Sequence, residues 1–172
     1  MKTKLFTSLC LIVFVSSAGP APGHSQERDG TAGWTTFSVS QFGTRVAYPA
    51  TIFSIVEGTS EKGIGQRFRT IDGRAVLSIY STANDADETP LTYLRNNLRR
   101  PRSALQYQRV TPSFFAISEE TNDQIYYSRC NFSNNGAIHC FDLVYPRREK
   151  RAWDGIVTRI SRSLRPLEHF QD

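Results

Sequence analysis

At 172 residues, the chain has the length of one domain with a modest core once a leader is set aside. Its formal net charge is +5, carried almost wholly by arginine, and this mild, spread excess falls short of the focused basic surface of a nucleic-acid binder. No apolar segment approaches the ~20 residues that a membrane-crossing helix needs, so no transmembrane segment is expected.

The N-terminus reads as an export signal. Lys2 and Lys4 precede a mostly apolar stretch from Leu5 to Val15, followed by the small and turn-forming residues Ser16, Ser17, Ala18, Gly19 and Pro20. Cleavage fits after Ser25 or after Ala18; the first is preferred and assigns residues 1–25 to a signal peptide. The protein is therefore expected in the periplasm or outside the cell. Cys10 leaves with the signal, because it lacks the small residue that precedes a lipidated cysteine. Residues 26–33 form a flexible leader, residues 34–165 a single domain, and residues 166–172 a tail.

Within the domain, Phe37 to Ser40 and Thr44 to Tyr48 alternate apolar and polar residues about a turn at Gln41-Phe42-Gly43, and Pro49 ends the second run. Glu57 to Gly65 holds three glycines and no core pattern, and reads as a loop. Gln66 to Ser81 is a hairpin divided at Asp72-Gly73, a dipeptide suited to a two-residue turn. Pairing Ile71 with Arg74 puts Phe68, Ala75, Leu77 and Ile79 on a core face. The opposite face carries Arg67, Arg69 and Arg74 with Val76 and Tyr80, and is expected to be wet or covered only in part.

Thr89-Pro90 has the form of a helix cap followed by proline in the first turn, and Leu91, Leu94 and Leu98 continue a helix to about Arg99. Arg109 to Ser118 is a further β-prone run interrupted by Pro112, and Thr121-Asn122-Asp123 is a turn. Gln124 to Phe132 and Ala137 to Tyr145 are strands joined through Asn134-Asn135-Gly136, a three-residue loop with glycine in the left-handed position. Counting outward from Ser133 opposite Ala137 places Cys130 directly opposite Cys140. A disulfide there suits an oxidising compartment, and the absence of Cys-x-x-Cys spacing favours a structural over a redox role. Beyond Pro146, Trp153, Ile156, Val157, Ile160 and Leu164 recur at helical spacing, with Arg159, Arg162 and Arg165 toward the C-terminal end of the helix. Hairpins with two main helices give an α+β fold built on an antiparallel sheet.

Phe42-Gly43, Tyr48-Pro49-Ala50, Phe53, Lys62-Gly63-Ile64-Gly65 and Asp72-Gly73-Arg74-Ala75 together form a pattern. It continues with Tyr126-Tyr127, Tyr145-Pro146 and Trp153-Asp154-Gly155-Ile156-Val157, running to Ser163-Leu164. Over residues 34–165 this resembles a group of small exported proteobacterial proteins and, more distantly, the PsbP-like fold, an antiparallel sheet sandwiched by helices. The resemblance implies a non-enzymatic accessory or binding domain that docks to a partner, and brings no catalytic residues.

Residues with chemical potential are few. There is no Gly-x-Ser-x-Gly, His169 lies in the tail, and His139 is a lone strand histidine. It anchors the alternative reading, a cell-envelope hydrolase with an unrecognised site. Glu119 and Glu120 read as a solvated acidic corner. Asn84, Asp85, Asp87 and Glu88 are rich in oxygen but lack the spacing of a calcium loop, and read as a helix entry. Asp142 and Asp154 show no partners and receive no role, and Asn131-Phe132-Ser133 is a glycosylation sequon without expected use in a bacterium. No metal or cofactor is expected. Two basic clusters stand out as possible anion sites: Arg95, Arg99, Arg100 and Arg102 at the end of the first helix, and Arg147, Arg148, Lys150 and Arg151 at the start of the last. Their forked guanidiniums suit the phosphates and carboxylates of an anionic cell-envelope component, the expected partner alongside an unidentified protein.

Overall fold

A computed structural model describes residues 33–97 and 105–166. The proposed signal peptide, nearly all of the leader and tail, and Arg99, Arg100 and Arg102 lie outside the described residues.

The first hairpin forms where alternation places it. Strand β1 (Trp34–Val39) runs through a short 3-10 turn into β2 (Thr44–Pro49), in register from Trp34 opposite Pro49 to Val39 opposite Thr44. Gly43 closes the turn at φ 66°, a conformation that glycine takes without strain. Strands β3 (Ile55–Thr59), β4 (Ile64–Arg69) and β5 (Val76–Ala83) follow, then helix α1 (Pro90–Asn97). Next come β6 (Leu105–Val110), β7 (Phe114–Glu120), β8 (Gln124–Phe132), β9 (Ala137–Pro146), α2 (Lys150–Ser163) and the two-residue β10 (Arg165–Pro166). Seven strands make one antiparallel sheet in the order β3-β4-β5-β9-β8-β7-β6, and β1, β2 and β10 make a second, smaller sheet.

Strand alternation divides the large sheet into two buried faces. One carries Phe68, Leu77, Ile79, Phe141 and Leu143, and packs beneath the small sheet and α2, where Trp153 stacks on Tyr145 at 5.3 Å between ring centroids. The other carries Tyr80, Phe115, Ile117, Ile138 and the two cysteines, and packs beneath Leu94 of α1. The sheet is thus sandwiched, and Tyr80, placed by the sequence on a wet or half-covered face, is buried by the helix. Thr89 Oγ1 accepts a hydrogen bond from the Thr92 amide at 3.2 Å, the cap that its position predicted.

The cysteine hairpin has the expected register, with Cys130 opposite Cys140, Asn131 opposite His139 and a disulfide between the cysteines. The Asp72-Gly73 hairpin keeps the expected register, with Phe68 opposite Leu77 and Arg69 opposite Val76, but its turn is wider than two residues: the Gly73 amide donates to the Thr70 carbonyl at 2.9 Å, the Thr70 amide to the Ala75 carbonyl at 3.0 Å, and the β4–β5 ladder ends before Ile71 and Arg74.

Two further expectations are corrected. Glu57 to Gly65 is not a loop throughout: Ile55–Thr59 is an edge strand, bulged at Glu57, and only residues 60–63 form the connection. Four of the five β3 residues are exposed, so the strand carries no buried alternation and is specified by its ladder to β4. The run from Arg109 to Ser118 is interrupted at Pro112 as expected and divides there between β6 and β7, where Thr111 Oγ1 accepts the amide of Phe114 at 3.1 Å and turns the chain. Helix α2 ends at Ser163 and does not include Leu164 and Arg165, which the helical spacing had placed in it; Leu164 is extended, and Arg165 enters the small sheet opposite Arg45.

Candidate functional site

That change of direction after α2 assembles a basic groove. Gly155, Thr158, Arg159 and Arg162 recur along one stripe of the helix and face β2, while β10 brings Arg165 alongside. The groove has a volume of about 740 Å³, and four guanidiniums line it, those of Arg45, Arg159, Arg162 and Arg165. Asp154 is the one carboxylate in its lining among the described residues, and Thr36 and Thr158 add hydroxyls. Arg45 and Arg165 are direct cross-strand neighbours, an arrangement in which like charges repel. The guanidinium of Arg159 lies over the Trp34 ring, 4.0 Å from its centroid, which fixes its plane beside the groove. An arginine cluster of this kind is matched to oxyanions, which accept paired N–H bonds and relieve the mutual repulsion.

Position along the helix explains why the sequence pointed elsewhere. Of the cluster at the start of α2, Arg147 Nε donates to Glu120 at 3.3 Å and the Lys150 ammonium pairs with the same carboxylate. Arg148 and Arg151 are exposed, and Arg151 falls on the same helical stripe as Gly155, Thr158 and Arg162. Of the cluster after α1, Arg95 is exposed and Arg99, Arg100 and Arg102 lie outside the described residues. Arg159, Arg162 and Arg165 were visible in the sequence as helix-end cations, but Arg45 lies 114 positions before Arg159 and only the packing of α2 on β2 joins them.

The residues considered for catalysis are held in other roles. His139 is fully buried between the sheets, with the Thr44 hydroxyl 2.7 Å from Nδ1 and the Ser133 hydroxyl 3.0 Å from Nε2. Thr44 is in turn bonded to Ser81. Burial pushes the imidazole pKa down, so the ring is a neutral connector between the two sheets. Glu119 and Glu120 are not a solvated corner: Glu119 is buried on the α1 face, and Glu120 turns to the other face toward Arg147 and Lys150. Asn84 holds the helix entry, its amide and carbonyl each bonded to the backbone of Glu88 at 3.0 Å. Asn131 of the sequon donates to the Leu164 carbonyl at 2.9 Å and terminates α2. Asp142, given no role from sequence, has three partners: Lys62 Nζ at 2.6 Å, the Tyr126 hydroxyl at 3.0 Å and the Tyr80 hydroxyl at 3.4 Å. No helix among the described residues is long and apolar enough to cross a membrane.

No family profile matches the chain, and no curated protein matches it. Among solved structures, it is similar to the solution structure of cyanobacterial PsbP (CyanoP) from Synechocystis sp. PCC 6803, with a TM-score of 0.60 at 14% identity, over 85% of this chain and 99% of that one. The α+β sandwich is a PsbP-like fold.

Proposed function

We propose that this chain is an exported, non-catalytic accessory domain that recognises an anionic component of the cell envelope. The observation that carries this reading is the groove between β2 and α2, which Arg45, Arg159, Arg162 and Arg165 line with Asp154 as the one carboxylate among the described residues. The export signal read at residues 1–25 supplies the compartment, and the disulfide suits it. The PsbP-like fold supports an accessory role. Arg148 and Arg151 extend the basic surface along α2, while Arg147 and Lys150 serve mainly to hold Glu120. Arg95 stands on α1, against the opposite face of the sheet, and Arg99, Arg100 and Arg102 lie outside the described residues. A hydrolase centred on His139 is not supported, because the imidazole is sealed from solvent and meets only hydroxyl groups.

The reading is tested with vesicles of anionic and of zwitterionic phospholipid at low and high salt. Binding is expected to anionic vesicles only, to weaken with salt, and to fall at least tenfold in Arg162→Glu with Arg165→Glu, a change of ~1.4 kcal/mol. Arg147→Gln is expected to change it little. Capture of one envelope protein irrespective of salt, with no vesicle binding, would replace the anionic partner with a protein.

A further inference from the structure

The opposite face of the sheet holds a second, chemically different site. Helix α1 covers that face only in part, leaving a cleft of about 500 Å³ with Tyr80, Phe115 and Tyr126 in its floor, Tyr93 in its wall and Lys62 at its mouth. Beyond Lys62 the depression continues as a second groove of about 350 Å³, which reaches Asp142. The carboxylate of Asp142 lies at the junction with its side chain 9% exposed, bonded to the two tyrosine hydroxyls and to Lys62.

The ammonium of Lys62 arrives from outside the sheet. Its side chain is 56% exposed and hangs from the turn at residues 60–63, two strands away from Asp142. The turn lies down on β5 because Gly63 and Gly65 have no side chain. A Cβ on Gly63 would come within 2.5 Å of the Ser81 carbonyl oxygen, and one on Gly65 would overlap that of Ile79. Across this gap the ammonium reaches the carboxylate and stands 5.6 Å from the centroid of the Tyr126 ring. The box therefore already holds an alkylammonium group, which is the chain's own.

We propose that this box is a recognition site for primary alkylammonium groups, with Lys62 as its tethered resident, exchanged when an external amine enters. A buried carboxylate, the Tyr126 hydroxyl that accepts from the Lys62 ammonium at 3.4 Å and the face of the same ring are the chemistry that receives such a cation, while the Tyr80 hydroxyl donates to the carboxylate and holds it in place. With Lys62 withdrawn, the groove that reaches Asp142 keeps, among the described residues, two carboxylates, Asp142 and Glu61, against one guanidinium, that of Arg67, which pairs with Glu61 at 3.6 Å; the net charge there is negative, opposite in sign to the arginine groove. The tyrosines remain neutral: burial and the adjacent Asp142 push the Tyr126 pKa up to about 12 and that of Tyr80 well above its ordinary value. Burial opposes the charge on Lys62, but Asp142 outweighs it and the pKa stands at about 12, so the resident is a cation throughout the physiological range. Exchange breaks no backbone bond, since the Lys62 stem is at the surface.

The probe is n-butylamine, which reproduces the end of a lysine side chain, followed by tyrosine ring signals in NMR. Wild-type protein should show a saturable shift at Tyr126 in the millimolar range, because a short tether supplies Lys62 at an effective concentration of about that order. Lys62→Met keeps the stem and removes the competing charge; it should bind at least roughly tenfold more tightly, and adding Asp142→Asn should abolish binding. If Lys62→Met does not fold, the wild-type titration alone decides. Spermidine and a lysine-containing dipeptide, run in parallel, separate a free polyamine from a protein side chain by which binds more tightly. No saturable shift with any amine, or binding that persists without the Asp142 carboxylate, would overturn the assignment.

Discussion

The disulfide offers a quantitative test because the geometry around it is well defined. Cys130 and Cys140 are 10 residues apart, their Cα atoms lie 4.2 Å from each other across the β8–β9 ladder, and both side chains are buried beneath α1. In the chain-entropy account, closing so short a loop removes about 2.5–3 kcal/mol of freedom from the unfolded chain. A domain of this length shifts by ~3–5 °C per kcal/mol, so removing the link lowers Tm by about 10 °C. The remaining hairpin keeps its full ladder, its Gly136 turn and both hydrophobic clusters, and the fold persists. Cys130→Ala with Cys140→Ala measures the tether with little added polarity. The corresponding serine pair adds two hydroxyls to an apolar site and should lose a further ~1–3 kcal/mol. Urea unfolding followed by circular dichroism, with and without reductant, gives the comparison. Under denaturing, non-reducing conditions the protein exported without Cys10 should show no free thiol. A loss below about 1 kcal/mol for the alanine pair, or its failure to fold, would refute the claim that the bond acts chiefly by restraining the unfolded hairpin.

Two further outcomes follow from buried polar groups and close backbone approaches. His139 is neutral in the folded protein with its pKa pushed down by burial, so the unfolded chain takes up the proton first; stability is full above the ordinary histidine value near ~6.5 and declines as pH falls below it. Wild type should lose up to about 1.4 kcal/mol per pH unit from this group between roughly pH 6.5 and its folded value, and His139→Gln should flatten that part of the urea-midpoint profile; an unchanged profile would refute a buried neutral imidazole. Gly65→Ala forces a methyl group onto the Ile79 carbonyl, so a loss on the order of 3 kcal/mol is expected in thermal unfolding, together with displacement of the turn that carries Lys62. A neutral result would show that β4 can move away from β5 freely.

Local sequence determined the hairpins. Asp72-Gly73 and Asn134-Asn135-Gly136 specify turns whose geometry propagates outward by strict alternation, which is why the registers, including Cys130 opposite Cys140, were legible before any tertiary contact. The apolar stripe Trp153, Val157, Ile160 and Leu164 likewise announced the last helix. Strand β3 was not legible: its residues are largely exposed, and its place comes from hydrogen bonds to β4 that carry no side-chain signal. Nor was the end of α2, where Asn131 takes the Leu164 carbonyl and turns the chain into the small sheet.

Both candidate sites belong to that second category. Arg45 meets Arg165 only because β10 docks on β2, and Lys62 meets Asp142 only because two glycines let a turn lie across β5. Residue types and local spacing determined which strands and helices form and which faces they bury, since those depend on neighbours in the chain. Which charges converge depends on packing between segments far apart in sequence, and only the tertiary structure decides it.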